Sequence, residues 1–195
     1  MISLNQAEKL VKLARDSISG VLNGKEANVS SDVKEEFKDK LGAFVTLYVD
    51  DKLAGCIGFP EPTAPLWRAV KESALSAAFE DPRFIHIDIE RYKRVRIEMS
   101  ILTKPEEIKV NESSEYPSKV NVGKDGLVIR AGFRSGLLLP QVATEYGWDS
   151  EEFLSQTCIK AGLDKDYWKG IRKGVYKFQA QIFSEEKGIL VEKKQ

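Results

Sequence analysis

Between Val95 and Leu102 apolar and polar positions alternate one for one. Val95, Ile97, Met99 and Ile101 fall on one side and Arg96, Glu98 and Ser100 on the other, the period of a half-buried strand whose second face carries chemistry. Residues 175–183 alternate in the same way. The run 44–49 is β-branched or aromatic, and Asp50-Asp51 separates it from a second strand pattern, so residues 44–59 read as a β-hairpin. A second hairpin is expected where residues 127–131 and 137–139 flank Gly132-Phe133-Arg134-Ser135-Gly136.

Elsewhere the period lengthens to that of a helix. Ser3 with Gln6 makes a capping-box start, followed by Leu4, Ala7, Leu10, Val11, Ala14, Ile18, Val21 and Leu22, and Gly24 ends this helix. A short helical pattern covers residues 33–37. Thr63 is expected to cap a helix with Pro65 in its first turn, along which Leu66, Ala69, Val70, Ser73, Ala74, Ala77 and Ala78 form a stripe of mostly small residues. Such a stripe lets a helix lie close against a sheet, and Asp81-Pro82-Arg83-Phe84 then turns the chain. Pro140 opens a helix through Tyr146, and Asp149 with Glu152 caps another that Gly162 closes. Hairpins with helices between them, and few strand-helix-strand alternations, predict an α+β fold with a mostly antiparallel sheet and flanking helices.

The return strand of the first hairpin contains Leu53-Ala54-Gly55-Cys56-Ile57-Gly58. Simple alternation places Leu53, Gly55 and Ile57 on one face and Ala54, Cys56 and Gly58 on the other. Two glycines in six residues predict a bulge or the close approach of another backbone or a ligand.

A chain of 195 residues is long enough for one domain, here expected to span 1–195, with room for a smaller lobe whose boundary would lie near the polar stretch 104–119, which contains Pro105 and Pro117. Thirty basic and thirty acidic side chains cancel, so no net field draws the protein to nucleic acid or anionic lipid. No run of about 18 apolar residues suits a membrane span, and the expected location is cytoplasmic. Cys56 and Cys158 do not make a disulfide framework, and Cys158 sits in a helical core pattern. A single histidine, His86, and two remote cysteines do not make a zinc set, so no metal is expected. The glycines at 132 and 136 read as a turn rather than a phosphate cradle, because a strand and not a helix follows.

LAGCIG, AAFEDPRF, IEMSIL and GLVIRAGFRSGLLLPQVATEYGW, in that order, resemble the AMMECR domain family, named for the Alport syndrome, midface hypoplasia and elliptocytosis chromosomal region protein. The resemblance implies a compact α+β domain with a strongly curled antiparallel sheet and a smaller lobe. It names no reaction and no cofactor, and it implies an association with Memo-type and radical-SAM proteins. The motif positions carried over are Gly55, Cys56, Ile57, Gly58, Asp81, Pro82, Arg83, Phe84, Glu98, Ser100, Pro140 and Gln141. The family usually has arginine where this chain has Ala54. A cation sharing a face with Cys56 would favour the thiolate. Without it Cys56 is expected to be largely buried and slow to alkylate.

The candidate catalytic residues are Cys56, as nucleophile or redox thiol, with Glu98 and Ser100 as orienting or acid groups. The candidate substrate-binding residues are Gly55, Gly58, Arg83 and Gln141. Each has a plainer explanation: a small residue packed beside glycine, a solvated strand face, a tight turn. Two classes of function stay open. One is an enzyme whose cleft near the LAGCIG strand acts on a small molecule or a modified macromolecule. The other is a protein- or RNA-docking module using the same surface, although no dense cluster of basic and aromatic residues marks an RNA face. A concavity with convergent polar groups favours the first, a flat patch the second.

Overall fold

The structure is a computed structural model that describes residues 1–193. It is 37% helical and 30% strand, with a curled antiparallel sheet, the α+β class expected. The described residues form two compact units: Met1–Leu102 with residues 181–193, and Thr103–Ala180.

In the first unit α1 (Leu4–Leu22) starts at the capping box: the Ser3 hydroxyl accepts from the Gln6 N–H, and the Gln6 side chain accepts from the Ser3 N–H. A short α2 (Ser31–Glu36) leads to the hairpin of β1 (Gly42–Val49) and β2 (Lys52–Phe59). Asp50 and Asp51 adopt φ of 52° and 60°, the left-handed pair that matches the twist of a two-residue hairpin turn. Next come α3 (Leu66–Phe79), α4 (Ile89–Tyr92) and β3 (Val95–Leu102), which pairs antiparallel with β1 along its whole length. Every residue of the expected α3 stripe is buried. Thr63 does not cap α3: Pro65 stands at the N-cap with no side-chain hydrogen bond, and the Leu66 N–H is taken by the Asp39 carbonyl.

The second unit holds β4 (Glu106–Glu107), 3-10 turns at Ser113–Glu115 and Pro117–Lys119, β5 (Asp125–Ala131), β6 (Arg134–Leu138), α5 (Pro140–Tyr146) and α6 (Ser150–Lys160). The β5–β6 turn is tighter than expected, because Gly132 and Phe133 alone make it and Arg134 already pairs with Ala131. The strand β7 (Val175–Glu186) begins in this unit, pairing with β4 and β5, and ends in the first, where it pairs with β8 (Ile189–Lys193). Each unit has its own apolar cluster, around Leu10, Ile97 and Phe183 in the first and around Tyr116, Phe153 and Trp168 in the second. Full burial of a side chain of this size contributes about 1.5–3 kcal/mol. Cys158 belongs to the second cluster, as expected. Among the described residues no helix is long and apolar enough to cross a membrane.

The β1–β2 register corrects the strand faces drawn from simple alternation. Leu47 pairs with Gly55 but Tyr48 pairs with Leu53, so Ala54 is an extra residue in a β-bulge. Directly paired residues share a face, which puts Leu53, and not Ala54, beside Cys56 and Gly58. Ala54 is 2% exposed within the main apolar cluster.

Candidate functional site

The glycines of the return strand make room for two different neighbours. A Cβ at Gly55 would stand 2.0 Å from the Ala77 carbonyl oxygen, so its bare backbone is where α3 presses onto the sheet. Gly55 therefore faces the core and not the surface that carries Cys56. A Cβ at Gly58 would stand 2.4 Å from the Phe44 ring, which lies over that position on the Cys56 side.

Cys56 is half-buried, more accessible than expected. The Thr46 hydroxyl, directly across the hairpin, donates to its sulfur at 3.2 Å. The strand β2 is the edge strand in the order β2-β1-β3. At Cys56 two side chains take up the backbone groups that a further strand would otherwise use. The Cys56 N–H donates to Asp81 Oδ2 at 2.9 Å, and its carbonyl accepts from Arg83 Nη2 at 2.8 Å. The Asp81-Pro82-Arg83-Phe84 turn thus acts as a one-residue surrogate strand.

Asp81 and Arg83 also bind each other in parallel, Nε to Oδ1 at 2.9 Å and Nη2 to Oδ2 at 2.7 Å. Fork-to-fork pairing of this kind gives direction as well as energy. The Asp81 side chain is 1% exposed and that of Arg83 58%. Burial alone would raise the Asp81 pKa, but the Arg83 guanidinium, helped by the Cys56 and Arg83 N–H groups, holds it well below the usual carboxylate range. Arg83 is shifted up in return, chiefly by its hydrogen bond to Asp81. Its Nη1 has no hydrogen-bond partner among the described residues, so one edge of a rigidly held guanidinium faces outward beside the thiol.

The third strand completes the face. Arg96 pairs with Tyr48, Glu98 with Thr46 and Ser100 with Phe44. Cys56, Thr46 and Glu98 therefore occupy opposed positions on three successive strands. Neighbouring strands are about 4.8 Å apart, which puts the backbones of Cys56 and Glu98 about 10 Å from each other. No hydrogen bond joins the two side chains among the described residues; Thr46 stands between them in the strand order. Glu98 is fixed by Lys193 of β8 at 2.7 Å and its side chain is 15% exposed. The Arg96 guanidinium lies 4.1 Å from the centre of the Tyr48 ring. The Tyr48 hydroxyl is pushed up by burial first and by the Glu98 charge second. Ser100 is buried under this face.

Two sequence candidates lie elsewhere. Gln141 is in the second unit, at the start of α5, with its Oε1 buried and without a hydrogen-bond partner among the described residues. His86 is exposed, and no hydrogen bond joins it to Cys56 among the described residues. Arg96 is on the face that the alternation of residues 95–102 marks, whereas Thr46, Tyr48 and Lys193 are not among the sequence candidates. The alternation of Phe44, Thr46 and Tyr48 against buried Val45, Leu47 and Val49 is the signal that finds Thr46 and Tyr48. Nothing local marks Lys193. Among the described residues no group of three His, Cys, Asp or Glu is placed to hold a metal ion.

Residues 11–183 match the AMMECR1 family model. Protein MJ0810 of Methanocaldococcus jannaschii is 47% identical over 198 residues, covering 100% of this chain and 98% of that protein. A protein of Aquifex aeolicus is 45% identical over 180 residues, covering 91% of this chain and 92% of its own length. In three dimensions the chain is similar to the crystal structure of an uncharacterized protein, PH0010, from Pyrococcus horikoshii, with a TM-score of 0.86 and 44% identity, over 100% of this chain and 99% of that one.

Proposed function

The chain belongs to the AMMECR1 family, and from that premise we propose that its β1–β2–β3 face is an active site that works through the Cys56 thiol. The observation that carries the reading is the Asp81–Arg83 pair. A carboxylate hidden from solvent spends its hydrogen bonds fixing both the backbone of Cys56 and an outward-facing guanidinium beside it. Preorganisation of this kind serves a reacting group that must be held still relative to a charge.

In this reading the Cys56 thiol loses its proton to solvent and its sulfur adds to an electrophilic carbonyl carbon of the substrate, the C–S bond forming as the carbonyl π pair moves onto oxygen, while the Thr46 hydroxyl stabilises the attacking thiolate. The free edge of Arg83 receives an anionic or carbonyl oxygen of the substrate, a small molecule or a modified macromolecule. Glu98, oriented by Lys193, serves as a remote acid or as a contact for the substrate. Gly58 keeps the floor low under Phe44. The site lies in the cytoplasm, where Cys56 and Cys158, both unpaired, remain thiols. The docking alternative loses one route, since the edge of β2 is already covered at Cys56 and a partner strand would have to displace Asp81 and Arg83.

The test is a substrate-agnostic metabolite screen with wild type, Cys56→Ala and Glu98→Gln at matched thermal stability. At least one metabolite should be consumed by wild type, left untouched by Cys56→Ala and turned over more slowly by Glu98→Gln. Identical metabolite profiles for the three proteins would remove Cys56 from the chemistry.

A further inference from the structure

The outer edge of β2 is open at one residue. Cys56 turns its N–H and carbonyl outward to Asp81 and Arg83, and every second residue of a strand turns the same way. The N–H and carbonyl of Gly58, paired in regular register with Phe44, therefore also point out of the sheet. Among the described residues no side chain, and no backbone group outside the ladder, bonds to them. Gly58 is half-buried, so this edge is within reach from solvent. We propose that Gly58 is a one-residue docking slot for an extended polypeptide segment, which is the substrate class of the thiol face. The inference rests on the Cys56 reading for its chemistry, but not for the docking.

The surroundings of the slot set its length. On one side the Asp81–Arg83 clamp occupies the edge at Cys56, and beyond it the bulge turns Ala54 into the apolar cluster. On the other side Pro60 has no N–H to donate. Edge strands are shielded by devices of this kind, and here they leave one donor–acceptor pair between two blocked positions. What matches such a pair is a peptide residue. In antiparallel pairing one residue exchanges both of its backbone hydrogen bonds with the residue opposite, at a Cα separation of about 5.5 Å. The clamp meets the same demand at Cys56 with a carboxylate as acceptor and a guanidinium as donor.

The pairing also directs a side chain. Directly opposed residues share a face, so the side chain of the docked residue stands on the thiol face beside Phe44, whose ring fills the place of a Cβ at Gly58. Cys56 is its diagonal neighbour, roughly 7 Å away and within reach of a long side chain. A glutamine in the slot carries its side-chain carbonyl toward the sulfur.

The experiment is an amide-resolved NMR titration of the full chain at millimolar peptide. The probes are acetyl-Gly-Gln-Gly amide, the same peptide methylated on the glutamine backbone nitrogen, and acetyl-Gly-Gly-Gln-Gly-Gly amide. The first should move the Gly58 amide proton downfield and shift Thr46 and Cys56. The methylated peptide should bind about tenfold more weakly, the size of one lost hydrogen bond that leaves the Gly58 carbonyl unpaired. The longer peptide should stay within about twofold of the short one, because the clamp and Pro60 give its added residues nothing to pair with. A Gly58 shift retained in Cys56→Ala supports the slot whatever the metabolite screen says of the thiol. No shift at Gly58, equal affinity for the methylated peptide, or a tenfold gain with the longer peptide, the mark of a strand that displaces the clamp, would overturn the proposal.

Discussion

Asp81 is the residue whose loss should be felt most at the site. It accepts from the Cys56 N–H, the Arg83 N–H and two nitrogens of the Arg83 guanidinium. Replacing a carboxylate in such charge-assisted bonds costs about 2 kcal/mol once the solvent exposure of Arg83 is allowed for. Because its pKa in the fold is depressed, this contribution is complete above the unfolded carboxylate value of about 3.9 and is lost as pH falls below it. Asp81→Asn should therefore be less stable than wild type by a constant margin from pH 5 to 8, in urea melts, and the margin should shrink below about pH 4. A margin unchanged at pH 2.5 would mean that the charge of Asp81 is not what stabilises the turn. Ala54 makes the opposite case. Since the bulge turns it into the apolar cluster, Ala54→Arg should lower the melting temperature and leave iodoacetamide alkylation of Cys56 no faster, with Cys158→Ser in both backgrounds. Faster alkylation would restore a shared face for the two side chains.

At the scale of elements, the close seat of α3 on β2 depends on a missing side chain. The carbonyl of Ala77 occupies the place of a Cβ at Gly55, and a helix backbone cannot yield as a flexible side chain can. Gly55→Ala should cost about 3 kcal/mol or more by forcing the helix off the sheet. The displaced helix carries the turn with Asp81 and Arg83 at its end, so Cys56 should alkylate at an altered rate in the same variant. A melting temperature equal to wild type would show that α3 does not press on Gly55. The stripe of Ala69, Ala74, Ala77 and Ala78 is the other half of this contact, since small residues on the helix and none on the strand let the two backbones approach. Position 77 and position 55 were each legible as small, but nothing in either segment says that they meet.

Over the whole molecule, equal numbers of acidic and basic side chains leave no net field, and the soft and imidazole ligands are too few for a tetrahedral centre. Tag-free protein is expected to carry less than 0.1 equivalent of zinc by elemental analysis, roughly the level of adventitious binding where no ligand set exists. Stoichiometric zinc that survives dialysis would contradict this.

The local periods of the sequence determined the elements themselves. A period of two identifies β3 because its alternate residues face core and surface, and a period near 3.6 with a capping box identifies α1 because its start is satisfied by its own side chains. The quoted motifs likewise marked Cys56, Arg83 and Glu98, residues that share one unit of the fold. Three things were decided only in three dimensions. The bulge at Ala54 shifts the face of every residue on one side of it, and it arises from how β1 and β2 register, not from either strand alone. The clamp of Asp81 and Arg83 on Cys56 joins residues 25 positions apart or more. The partner of Glu98, Lys193, arrives 95 positions later on a strand too short and too charged to stand out. Local propensity acts over a few residues, whereas a shared face, a covered edge and an ion pair across strands depend on which segments the whole chain brings side by side.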